Sequence, residues 1–161
     1  MKDIKQLVPD LQKAIAQGSK YAAEEMSFQL RDQGPYWTGT FYESIRISNG
    51  ANGPARTVSP PVANESGGFE REERPSTEKV KANNPDKINL KLINQTMYTI
   101  GSAVNSQDYV NISCDLEPKS KPYPARTAEK NWFTSYFGGE SSLRDRDIEP
   151  EFKKGMRQGG F

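Results

Sequence analysis

The chain has 161 residues, one domain's worth of sequence, and its 22 basic and 21 acidic residues leave a net charge of +1. That balance gives no global field to gather nucleic acid, because tight phosphate binding needs clustered lysine and arginine. With no histidine and only Cys114, the chain has no Ser-His-Asp or Cys-His catalysis, no His-ligated zinc or haem, no intrachain disulfide and no thiolate cluster.

In chain order, the first expected element is a long amphipathic helix over about 10–33. Asp10 after Pro9 can cap it, and Leu11, Ile15, Ala22, Met26 and Leu30 recur at helical spacing. Gly34-Pro35 ends it, since a proline disfavours helical geometry in the residue before it. In Pro35-Tyr36-Trp37-Thr38-Gly39-Thr40-Phe41-Tyr42-Glu43-Ser44, Thr40 and Glu43 have capping-box spacing. Ile45 and Ile47 then alternate with Arg46 and Ser48, the period of a half-buried strand.

Residues 49–87 change character. They hold five prolines, four glycines and twelve charges, with Val58, Val62, Phe69 and Val80 as the large apolar groups. A stretch of that composition cannot fold on itself, so the expectation is a long projecting loop. Alternation resumes at Ile88, Leu90 and Leu92, then in Met97–Gly101, and after Asn105-Ser106 in Tyr109–Cys114, which predicts three further strands in an antiparallel sheet. Cys114 reads as a small buried hydrophobe. Pro124 suits the first turn of a helix carrying Ala125, Ala128, Trp132 and Tyr136 on one stripe, ended by Gly138-Gly139. Residues 140–161 are charged and poor in core formers, so they read as an arm that orders on a partner.

The expected architecture is therefore α+β. A long N-terminal helix and a C-terminal helix pack on a roughly four-stranded antiparallel sheet, in a single domain 1–139 with an inserted loop 49–87 and an arm 140–161. Leu11, Ile15, Met26, Ile45, Ile47, Leu90, Leu92, Ile100 and Trp132 are its expected core. Leu, Ile, Val and Phe make up only 29 of 161 residues, but sixteen aromatics add buriable surface, so the core is modest and some segments are loose.

No catalytic, cofactor or metal constellation emerges. The carboxylates Glu24-Glu25, Asp115 with Glu117, and Asp145 with Asp147 read as surface charge, and the glycine pairs match neither the Walker nor the dinucleotide pattern. Apolar runs are far shorter than the roughly 20 residues that span a bilayer, and Met1-Lys2-Asp3-Ile4 opens no signal peptide. A soluble, non-secreted protein is expected, in which the sequons at Asn64, Asn94 and Asn111 carry no glycan.

The order of a long helix, Pro35-x-x-Thr38-Gly39-x-Phe41-x-x-Ser44-Ile45, strands, Ile100-Gly101-Ser102 followed by Tyr109, and Lys121-Pro122-Tyr123-Pro124-Ala125 opening a helix resembles a known group. It is similar to the neck and tail-completion proteins of long-tailed bacteriophages, which include the lambda gpZ-like minor tail proteins, over most of residues 10–137. Phe41 stands where that group has an aliphatic residue, Val110 where alanine is usual, and the group's Glu-x-Gly is missing around Cys114-Asp115.

The resemblance implies a non-enzymatic virion protein of the neck, made in the host cytoplasm and assembled as a homo-oligomeric ring with six copies the favoured number. The ring completes the tail and joins it to the DNA-filled head. Its neighbours would be head-closure or connector proteins and tail terminator or tail-tube proteins, with genomic DNA passing unread through the lumen and no membrane involved. Pro35, Thr38, Gly39, Phe41, Ser44, Ile45, Tyr109, Tyr123, Pro124 and Trp132 are the motif and interface candidates, and Phe69, Phe152 and Phe161 the anchors of the loop and the arm. The competing readings are a tail terminator or head-tail connector subunit, a small carboxylate-dependent enzyme, and a nucleic-acid-binding module.

Overall fold

A computed structural model of the chain describes residues 4–34, 45–50, 78–92, 95–102 and 143–161. Helix α1 spans Ile4–Gln33 and starts six residues earlier than the spacing predicts, with Pro9 inside it. A proline there cannot donate the helical bond to the Lys5 carbonyl, a cost that is smaller on the exposed turn of residues 5–9 than it would be in the core. The helix stops where expected: Gly34 donates back to the Leu30 carbonyl and lies in a bend.

Strand β1, Ile45–Asn49, pairs antiparallel with β2, Tyr98–Ser102, with Ile45 opposite Ser102 and Ile47 opposite Ile100. Ile45 and Ile47 are buried and Arg46 and Ser48 are not, as the alternation requires. Helix packing on an antiparallel pair makes the described fold α+β.

The expected strand at Ile88–Leu92 is not one. Asn84 accepts from the Asp86 amide and Pro85 opens a single 3-10 turn, Pro85–Lys87. Asn89 then accepts from the Lys91 amide through its side chain and from the Leu92 amide through its carbonyl. Two asparagine-centred turns therefore override the apolar alternation. Ile88 is buried, whereas Leu90 and Leu92 are exposed, not core. Leu11, Ile15, Met26 and Ile100 are half-buried. Trp132, the run Tyr109–Cys114 and the helix from Pro124 lie outside the described residues.

The charged C-terminal segment forms a second helix, α2, spanning Leu143–Gln158, and it packs on α1 of the same chain. The two run antiparallel where they meet, with Gly155 against Gln17 and Gly18 and Gly159 against Ala14. The composition of 140–161 suggested an arm because it is charged and poor in core formers. At its closest points the contact uses small residues: an ideal Cβ on Gly155 would lie 2.5 Å from the Gln17 carbonyl oxygen, and one on Gly159 would lie 2.5 Å from the Ala14 Cα. Backbone meets backbone, which glycine and alanine alone permit. Phe152, expected as an anchor on a neighbour, and Met156 flank Gly18. Tyr21 donates to Gln158, and the Lys154 ammonium sits 5.5 Å from the centre of the Tyr21 ring. Past α2, Gly160 at φ +100° lets its own amide reach the Arg157 carbonyl and the Phe161 amide the Met156 carbonyl, closing the helix with a left-handed cap.

Candidate functional site

The most concentrated polar chemistry among the described residues lies on one face of α1. Lys20, Glu24, Ser27 and Arg31 follow at helical spacing, so their side chains share a stripe. Glu24, Ser27 and Arg31 are 3%, 0% and 4% exposed, a burial that charged side chains reach only when paired. Their partners come from β1 and from residues 78–80, the end of the stretch expected to project as a loop.

Two clamps result. Glu24 accepts from the Val80 amide at 3.0 Å and from the Lys79 ammonium at 3.1 Å, and Lys20 lies 3.3 Å away. Lys79 is 73% exposed and its charge is screened by solvent, which makes the Val80 amide the firmer partner. In the second clamp, the Arg31 guanidinium donates to the Ile45 carbonyl at 2.7 Å and to Glu78 at 3.4 Å. Glu78 also accepts from the Ile47 amide at 3.2 Å. Arg46 donates to the Ile45 carbonyl as well and lies 4.0 Å from Glu78. Side chains thus satisfy the outward backbone groups of β1 at Ile45 and Ile47. Farther along, Gln12 donates to the Ile88 carbonyl at 2.7 Å and fastens the segment again.

Burial pushes the Glu24 carboxyl up, but the Val80 amide, Lys79 and Lys20 together outweigh it and hold the group below the ordinary carboxylate value of about 4.5. A carboxyl whose folded value is depressed contributes stability that is present in full above the unfolded value and is lost as pH falls through the folded one. Thermal stability is therefore expected to drop as the pH is taken below about 4.5, and Glu24→Gln to flatten that drop. Melting curves of both proteins from pH 7 to pH 3 check this, and an unchanged acid slope in the variant would assign the sensitivity to other groups.

The Glu24 and Glu78 carboxylates are both committed to cations and amides. A cleft of about 170 Å³ between Asn83, Asn84, Lys87 and Gln95 is similarly committed: Asn83 donates to the Met97 carbonyl and Gln95 to the Lys87 carbonyl. Among the described residues no three His, Cys, Asp or Glu side chains gather as metal ligands, and no helix is long and apolar enough to cross a membrane. Asp147 pairs with Arg146 on α2 itself.

Of the motif candidates, Ile45 is buried on β1 and its carbonyl is the Arg31 acceptor. Phe161 is 51% exposed at the end of the chain, and Phe152 is half-buried against α1. Pro35, Thr38, Gly39, Phe41, Ser44, Phe69, Tyr109, Tyr123, Pro124 and Trp132 lie outside the described residues. Sequence reasoning missed Glu24, Arg31 and Glu78. The available signal was polar residues at i, i+3 and i+7 on a helix whose neighbouring positions are Ala23 and Gly34, but Glu78 lies far along the chain from both of its partners. Compared with family models, curated proteins and solved structures, the chain finds no match.

Proposed function

We propose that this chain is a structural subunit of a bacteriophage neck, assembling as a ring of identical copies that completes the tail and joins it to the head. The observation that carries the reading is the pairing of β1 with β2. Ile45 and Ile100-Gly101-Ser102, pieces of the resemblance that are far apart in sequence, meet in one ladder, with Ile45 opposite Ser102 and Ile47 opposite Ile100. Between the end of α1 at Gln33 and the start of β1 at Ile45 the chain makes one step from helix to sheet. That step is closed by a side chain, since Arg31 of the last helical turns holds the Ile45 carbonyl.

The finer architecture belongs to the same reading. The run Tyr109–Cys114 would supply a further antiparallel strand, and the helix from Pro124 would join α1 on the sheet. A head-to-tail ring suits such a subunit, because a heterologous contact closes when its rotation divides the circle, and six copies would match a sixfold tail. Nothing catalytic is required of it.

Deleting the gene from the genome that encodes the chain, with complementation from a plasmid, tests the role. Full heads and complete tails that fail to join, and that join again on complementation, are expected. A cryo-EM map of the complemented particle should show a ring of this chain between head and tail. Particles that form and infect without the gene, or that lack the chain, would overturn the proposal.

A further inference from the structure

Residues 78–80 are held on α1 and β1 by polar contacts rather than by apolar burial. Glu78 and Lys79 supply charge, and Val80 is only half-buried; the first buried apolar side chain beyond them is Ile88. Between the two clamps, one turn from Glu24 and one turn from Arg31, lies Ser27. Its side chain is fully buried, and its hydroxyl finds no hydrogen-bond partner among the described residues. A serine in a helix usually donates back to the carbonyl four residues earlier, and Ser27 does not. A buried hydroxyl in this position penalises the closed arrangement, and it recovers its hydrogen bonds as soon as water enters.

We infer that residues 78–80 form a releasable latch, closed by the Glu24 and Glu78 clamps and biased toward opening by the buried Ser27 hydroxyl. Residues 78–80 run from Arg31 to Glu24 and so pass the turn of α1 that carries Ser27; opening lets water reach Glu24, Arg31 and the outward carbonyl and amide of Ile45 and Ile47, and through that turn the Ser27 hydroxyl. Because Glu78 touches α1 and β1 at once and adjoins Lys79 and Val80, both clamps release together. The inference rests on the clamps and the orphan hydroxyl and stands independently of the neck reading.

Each clamp contains a backbone amide that reports on it, Val80 for Glu24 and Ile47 for Glu78. Gly159, whose amide bonds the Gly155 carbonyl at the α1–α2 contact, serves as a distant control. The experiment is amide hydrogen exchange on the full chain at pH 7, wild type against Ser27→Ala and Glu78→Gln. Ser27→Ala keeps the helix and removes the orphan, so exchange at both Val80 and Ile47 should slow by roughly tenfold. Glu78→Gln should speed exchange at both amides, although it touches only one clamp directly, and Gly159 should not change in either variant. Unchanged or faster exchange at Val80 in Ser27→Ala would overturn the bias. Acceleration in Glu78→Gln confined to Ile47 would overturn release as a unit.

Discussion

Gly155→Ala is expected to destabilise the protein strongly. The new Cβ would lie 2.5 Å from the Gln17 carbonyl oxygen and 2.8 Å from the Gly18 Cα, atoms that cannot turn aside, so the helices must separate. Overpacking of this kind costs up to about 3 kcal/mol, and the better helix propensity of alanine returns about 1 kcal/mol, which leaves a net loss of about 2 kcal/mol. A chain of this size should then melt roughly 4–8 °C lower. Gly18→Ala is the informative contrast. Its Cβ would meet the Met156 Cγ and the Phe152 ring at 2.9 Å, side-chain atoms that χ rotation can move where backbone cannot, so its loss should be smaller. Because both substitutions part the same pair of helices, the double variant should lose less than the two singles combined. Thermal and urea unfolding of the three proteins decide it, and a Gly155→Ala chain as stable as the parent would refute backbone-to-backbone contact.

The second large effect is expected at Arg31. Arg31→Met keeps the length and apolar stem of the side chain but removes the guanidinium, which strands the Ile45 carbonyl on one side and Glu78 on the other. Breaking a fully buried pair costs about 3–5 kcal/mol. Glu78 is 23% exposed and can recover part of its hydration, so a loss of about 2–3 kcal/mol is expected. Glu78→Gln added to Arg31→Met should restore part of the loss, since the charge left unpaired is then gone. A double-mutant cycle by chemical denaturation measures this, and strictly additive losses would show that the two side chains act separately.

How much of this was readable beforehand divides along physical lines. The stop of α1 and the two strands were legible because their determinants are local: Gly34-Pro35 disfavours continued helix, and the Ile45–Ile47 alternation has the period of the pleat. The turn at 89–92 was not, because alternation of Leu90 and Leu92 competes with Asn84 and Asn89 side chains that capture nearby amides, and the apolar pattern alone does not rank the two. Helix α2 escaped because charges such as Arg144, Asp145 and Lys153 dominate its composition; Ile148, Phe152 and Met156 do recur at helical spacing, but the closest contact, Gly155-x-x-x-Gly159 against Ala14-x-x-x-Gly18, adds no hydrophobic signal of its own. At the candidate site, Glu24 read as surface charge but is buried, because the helical spacing of Glu24, Ser27 and Arg31 does not tell a solvated stripe from a covered one. The partner Glu78 was not legible, because nothing in a helical period says which distant residue will lie across from it.

The glycine contact between α1 and α2 can form only late in synthesis. Helix α1 leaves the ribosome long before residues 143–159 exist, and at about 5–20 residues per second the delay is on the order of ten seconds. Throughout that interval the face destined for α2 is open. A leucine-rich face would offer nascent neighbours and chaperones a large adhesive surface for the whole wait, whereas Ala14 and Gly18 offer very little. Pairing helices through bare backbone therefore keeps the unfinished chain inconspicuous, and it confines the stabilising contact to the moment when its second half arrives.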